Sequence, residues 1–220
     1  MKFSKPNRNT SMLLGFCTLG ILALAYHFTD QNQELPMYQP SDFNPALVDV
    51  GMQQTTEDHR VSDFDLINQN GNSITQKDYE NAIYIVDFFF TRCPSICPIM
   101  TNNMAKIQEE FKEDSEIKLL SISVTPTMDS IPILREYATK KGAIDGKWNI
   151  TTGNKKHIYN LARKSYFAAV DQGDGGLQDF IHTPNFILID KNKHIRGVYD
   201  GTKDAEIERI VEDIKHLQKT

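Results

Sequence analysis

The sequence predicts an α/β domain with a mixed sheet, carried on one N-terminal transmembrane helix, and three observations predict it. Apolar runs rich in β-branched and aromatic residues at 82–90, 118–124 and 186–190 read as buried strands. Segments with apolar residues at helical spacing lie between and after them. An almost uncharged stretch at 12–28 precedes them all, with Lys2, Lys5 and Arg8 before it and Asp30 and Glu34 after it. With 220 residues, 40% hydrophobic and 24% charged, the chain has material for one core plus an appendage. A formal charge of −5, with no cluster of Lys and Arg among aromatics, excludes the basic footprint of a nucleic-acid binder. Three cysteines are too few for a disulfide scaffold, and two of them stand close together while Cys17 lies in the apolar stretch.

Taken in order, 1–11 is a basic N-terminus expected in the cytoplasm, and 12–28 is the anchor, near the lower length limit for a spanning helix. The basic flank places everything after the anchor outside the inner (plasma) membrane, on the periplasmic side. A cleaved signal peptide competes with this reading, since Ala23-Leu24-Ala25 offers small residues in a cleavage pattern. Bulky Phe16 argues against lipidation of Cys17, and His27 falls at the membrane interface. Residues 29–52 are polar, carry Pro36, Pro40 and Pro45, and lack periodicity, as an extended tether would.

Residues 53–220 form the folded domain. Alternating apolar residues from Phe64 to Ile74 surround Asn70-Gly71, which predicts an N-terminal hairpin. The continuous run 82–90 suits a strand buried on both faces and ends in TRCPSICPIM. Pro94 fits the first turn of a helix that continues through Met100, Met104, Ile107 and Phe111. A second buried strand follows at 118–124, then helices at 129–141 and 155–163. Strands at 186–190 and 194–199 flank a turn at Lys191-Asn192-Lys193, and an amphipathic helix at 204–219 presents Ile207, Ile210, Val211 and Ile214 on one face. This order, parallel in its first half and antiparallel in its second, is that of a thioredoxin-like α/β fold.

Cys93 and Cys97 meet at a strand-to-helix junction, where two sulfurs four residues apart face the same side. They suit a shared metal or a disulfide, which an exported location permits. The helix N-terminus and neighbouring Arg92 both favour a Cys93 thiolate. His182, just before a central strand, is the candidate third ligand. Such a soft set with one nitrogen suits Cu(I) and can hold Cu(II), with zinc chemically possible. Asp87, six residues before Cys93, is either a proton acceptor for Cys97 or a hydrogen-bonded strand carboxylate. Met100 and Met104 share helical spacing with Ile107 and read as core. His59, His157, His194 and His216 read as surface residues.

Cys93-Pro94-Ser95-Ile96-Cys97-Pro98 matches the C-P-x-x-C-P motif of the Sco/SenC family, copper proteins of cytochrome oxidase assembly, and His182 matches the family's distal histidine. The resemblance runs from about Asp49 to the C-terminus and extends to Ser121-Ile122-Ser123-Val124 followed by Pro126 and Asp129. It implies a copper site of Cys93, Cys97 and His182. It also implies copper delivery to, or thiol reduction of, the dinuclear copper centre in subunit II of cytochrome c oxidase. Another copper-receiving protein is an alternative partner. A thiol reductant is needed as well, because a Cys93–Cys97 disulfide would abolish binding. The alternative function is a thiol-disulfide oxidoreductase acting through Cys93 and Cys97, with Asp87 taking the proton. Thr183-Pro184 resembles the cis-proline turn of thioredoxins. Two positions depart from the family: Thr125-Pro126-Thr127-Met128-Asp129 stands for its usual Asp-Pro-Glu-Arg-Asp, and Ile181 stands where Asp often precedes the histidine. Asp179 is then the nearest acid able to orient His182.

Overall fold

The computed structural model describes residues 20, 34–48, 51–54, 58–169, 176 and 180–219. The chain divides into two units, Met1–Glu34 and Leu35–Thr220, and the sheet with its helices lies in the second. Apart from Gly20, the stretch expected as the anchor lies outside the described residues, as do Cys17, His27 and Asp179. Among the described residues no helix is long and apolar enough to cross a membrane.

The expected hairpin is present as β1 (Asp65–Asn68) and β2 (Ser73–Thr75). It is followed by β3 (Ile83–Phe89), α1 (Cys97–Glu110), β4 (Ile117–Ser123), α2 (Ile131–Lys141) and β5 (Trp148–Thr152). Then come α3 (Lys155–Asn160), β6 (Asn185–Ile189), β7 (Ile195–Asp200) and α4 (Asp204–Leu217). Among the described residues the strands form one seven-stranded sheet in the order β2-β1-β5-β4-β3-β6-β7. β3, β4 and β5 are parallel, while β6 and β7 return antiparallel, so the sheet is mixed as the sequence pattern requires.

All seven residues of β3 are buried, because both its faces are covered. Ile83, Ile85 and Phe89 pack with Met100, Met104 and Ile107 of α1 and with Ile207, Ile210 and Ile214 of α4. Tyr84, Val86 and Phe88, one residue out of phase, pack with Ile158, Tyr159, Tyr166 and Phe167 on the other side. Each fully buried aliphatic side chain contributes about 1.5–3 kcal/mol, so these two layers hold the strand that ends at the cysteines. Met100 and Met104 are completely buried, in keeping with a core role.

Four local features differ from the sequence expectations. α1 begins at Cys97, not at Pro94, since residues 91–96 turn before Pro98 opens the helix. α3 ends in a single π-helical turn, Leu161–Ser165. β5 is not among the expected strands: Trp148 and Ile150 alternate with polar residues and enter the core, while Asn149 is buried donating to the Tyr79 hydroxyl at 3.0 Å and Thr151 to the Ser121 carbonyl at 3.0 Å. His194, expected at the surface, is buried between Asp58 (2.7 Å) and Asp190 (3.3 Å). Paired polar partners make that burial affordable, and residue type alone does not reveal them. His59, His157 and His216 are half-buried, His59 donating to the Ser165 carbonyl at 2.8 Å.

Residues 35–48, within the stretch expected as tether, run along the domain. Arg196 donates to the carbonyls of Leu35 (2.5 Å) and Pro36 (3.1 Å), and the Tyr38 amide donates to the Ile195 carbonyl at 2.9 Å. Short 3-10 turns at Pro40–Asp42 and Pro45–Leu47 then let Tyr38, Phe43 and Leu47 pack on the face that contains Phe167.

Candidate metal centre

The site is built where β3 runs out. The Cys93 amide donates to the Phe90 carbonyl at 3.3 Å, closing a turn that swings Cys93 back over the start of α1. The Cys97 amide then donates to the Cys93 sulfur at 3.5 Å, and the Ser95 hydroxyl lies 3.6 Å from the same sulfur. From the loop before β6, His182 places Nε2 3.6 Å from the Cys93 sulfur. The donor atoms of Cys93, Cys97 and His182 all lie within 4.8 Å of one another, and they are the only group of this kind among the described residues. Both cysteines are buried free thiols, whereas His182 is exposed. Phe90 and Phe180 wall the imidazole, with ring centroids 5.9 and 6.2 Å from it.

The two thiols are pushed in opposite directions. Burial alone would raise Cys93, but hydrogen bonds from the Cys97 amide and from the Ser95 hydroxyl and amide outweigh it and bring the thiol down to about 6. Arg92 is exposed to solvent, so the backbone at the helix start supplies the stabilisation that the sequence reading shared with this side chain. Burial pushes Cys97 up to about 12, aided by the charges of Cys93 and Asp87 and opposed by the Phe90 backbone. Asp87 is itself buried and pushed up to about 7 by that burial, against a 2.5 Å hydrogen bond from Ser121. The Trp148 indole donates to the same Ser121 oxygen at 2.9 Å.

This donor set fits a small soft cation. With bonds of about 2.0–2.3 Å, neighbouring donors around a three-coordinate ion stand about 3.5–4.0 Å apart, and the Cys93–His182 separation of 3.6 Å lies in that window. Thr183-Pro184 corrects one expectation, since no cis peptide bond occurs among the described residues. The trans bond is the ordinary lower-energy state, and it feeds the chain straight into β6, where the Pro184 carbonyl accepts from the Gly201 amide at 2.8 Å. Two features escaped the sequence reading. Ser95 was visible inside the motif but carried no separate signal, and the aromatic wall of Phe90 and Phe180 forms only once the chain folds.

A model of the SCO1/SenC family matches residues 52–219. The chain belongs to the SCO1/SenC family. It is 29% identical over 159 residues to a SCO1 protein homolog of Bacillus subtilis (strain 168), covering 71% of this chain and 82% of that protein. Among solved structures it resembles BsSco, described as a member of the Sco family of cytochrome c oxidase assembly proteins with a disulfide switch, at TM-score 0.62 and 28% identity. That match covers 72% of this chain and 93% of BsSco. Arabidopsis thaliana ScoI with copper bound shares the fold at TM-score 0.55 and 24% identity, over 73% of this chain and 99% of its own. The thioredoxin-like Sco fold expected from the element order is therefore the fold of this family member.

Proposed function

We propose that this Sco protein is a membrane-anchored copper chaperone that holds Cu(I) or Cu(II) through Cys93, Cys97 and His182 and supports assembly of the dinuclear copper centre of cytochrome c oxidase. The observation that carries the reading is the convergence of two thiols and one imidazole within 4.8 Å. Soft sulfur donors with one nitrogen favour copper over hard cations. Cys93 is already a thiolate at neutral pH and gives the incoming ion its first ligand. Cys97 loses its proton on coordination, and the Asp87 carboxylate, titrating near 7, is suited to take it. His182 is the exposed ligand, so an acceptor's donor atom reaches the site there and copper leaves by stepwise exchange.

The basic flank and the apolar stretch 12–28 support an anchor that keeps the domain on the periplasmic side of the inner membrane. In that oxidising compartment a thiol reductant must keep the pair open, since a Cys93–Cys97 disulfide removes both sulfur donors. Copper delivery goes to subunit II of the oxidase or to another copper-receiving protein. Copper titration of the reduced protein, beside a His182→Ala variant, tests the assignment. The wild type should take one equivalent with a thiolate charge-transfer band, and the variant should bind more weakly with a changed band. Identical affinity and spectrum would remove His182 from the site.

A second reading, thiol-disulfide oxidoreductase, is favoured by the opposed thiols: a low-lying nucleophile near 6 beside a buried partner near 12. In this reading Cys93 attacks a partner disulfide and Cys97, relieved of its proton by Asp87, resolves the mixed disulfide. A Cys97→Ser variant should then accumulate mixed disulfides through Cys93, and their absence would remove this reading.

A further inference from the structure

We propose that Asp129 is a positioning residue for the metal centre: its buried carboxylate fixes the start of the 91–96 turn in the place from which Cys93 meets Cys97 and His182. The proposal rests on the copper reading above and extends it to a residue that touches no ligand. Asp129 is fully buried, and its carboxylate forms no ion pair among the described residues. One oxygen accepts from the Thr91 hydroxyl at 2.6 Å. The other accepts from the Thr91 amide at 3.2 Å, the Ser123 hydroxyl at 2.5 Å and the Thr125 hydroxyl at 2.9 Å. These donors come from three places: the turn after β3, the last residue of β4 and the loop that follows it.

A buried carboxylate is costly unless its lone pairs are filled, and here four donors fill them. Apolar packing of the same volume would serve stability as well, because removing both partners of a buried hydrogen bond is often neutral. What apolar packing lacks is direction. The carboxylate takes both the amide and the hydroxyl of Thr91, two residues before Cys93, and so sets the path of the turn. The turn that presents it is closed by the amides of Met128 and Asp129 donating to the Thr125 carbonyl at 2.8 and 2.9 Å. Thr125, which replaces the first acid of the family's usual loop, supplies one of the four donors. The acid retained at 129 therefore faces inward and cannot serve as a docking charge.

The test uses the full reduced chain and measures Cu(I) affinity by competition with a chromophoric chelator, the Cu(II)–thiolate band, and the Tm of the metal-free protein. Asp129→Ala and Thr91→Val should each lose roughly tenfold or more in Cu(I) affinity, the usual range for outer-sphere positioning groups, and should shift the band. Asp129→Asn, which keeps one acceptor oxygen, should recover most of both. If Asp129→Ala fails to fold, Thr91→Val decides, since it deletes one hydroxyl and preserves shape. Unchanged affinity and band in Thr91→Val and in any Asp129→Ala that folds, with only Tm lowered, would overturn the proposal and leave the copper reading standing. A wild type that takes up no copper would overturn both.

Discussion

Alkylation of the metal-free, reduced protein should reveal Cys93 as the reactive thiol across neutral pH, and the size of the effect follows from the site. With its thiol at about 6, Cys93 is about 90% thiolate at pH 7, against about 1% for an ordinary cysteine near 9. Nucleophilicity falls with basicity, and a Brønsted slope of about 0.4–0.5 over that interval makes each thiolate roughly 20-fold slower. The net rate advantage at pH 7 is therefore only about fourfold to fivefold. The midpoint of the pH–rate profile is the sharper readout: it should lie near 6 for Cys93, while Cys97 stays unreactive until strongly alkaline pH. Removing one donor with Ser95→Ala costs a hydrogen bond to a charged sulfur, and at 3.6 Å this should move the midpoint up by about one pH unit. Iodoacetamide labelling resolved by peptide mass spectrometry measures both cysteines separately. A Cys93 midpoint above about 8 would refute the argument that amides at the helix start hold its thiolate.

Asp87 keeps its proton to about pH 7 when folded, whereas an unfolded aspartate releases it near 3.9, so the native state binds the extra proton and stability falls as pH rises between those values. Asp87→Asn should therefore stabilise the reduced protein at pH 8, by at most about 4 kcal/mol, and change little at pH 3.5; urea unfolding with equal gains at both pH values would contradict this. A Cβ at Gly197 would overlap the ring and hydroxyl of Tyr199, which is pinned by Asp213 at 2.7 Å and lies under Arg209. Gly197→Ala should cost about 1–3 kcal/mol by overpacking, seen as a lowered Tm, and an unchanged Tm would mean that Tyr199 moves freely. Arg196→Met should free residues 35–38 from the domain and open them to limited proteolysis, with cleavage as slow as in the wild type counting against the clamp.

Much of this was legible in the sequence because the chemistry and the periodicity were local. The run before the cysteines has no polar residue except Asp87, and only a strand covered on both faces explains that. Cys93 and Cys97 carry their meaning in their spacing and flanking prolines. What stayed hidden depends on partners distant in sequence. β5 has only two apolar residues, Trp148 and Ile150, and the burial of its other face is intelligible only once Asn149 meets Tyr79 and Thr151 meets Ser121. His194 looks like a solvated turn residue until Asp58 arrives from the other end of the domain. Asp129 reads as the first residue of a helix, yet α2 starts only at Ile131 and Asp129 turns inward. His182 was a candidate mainly through the family resemblance, because nothing within its own segment indicates that it will lie 3.6 Å from a sulfur far upstream.

The uneven exposure of the three donors suits the proposed role, in which one site both holds and releases a soft ion. If all three were buried, loss of the ion would require local unfolding; if all were exposed, water and competing thiols would strip it. Here the sulfurs are fixed by the β3–α1 turn and shielded, while the imidazole stands in the wall between Phe90 and Phe180 where an acceptor can approach. In the chaperone role proposed above, exchange would begin at His182, with the thiolates yielding afterwards. The same arrangement makes the thiol state decisive, because oxidation of the pair leaves a single exposed imidazole, too weak alone to keep copper. Metal binding and disulfide formation are thus mutually exclusive uses of Cys93 and Cys97.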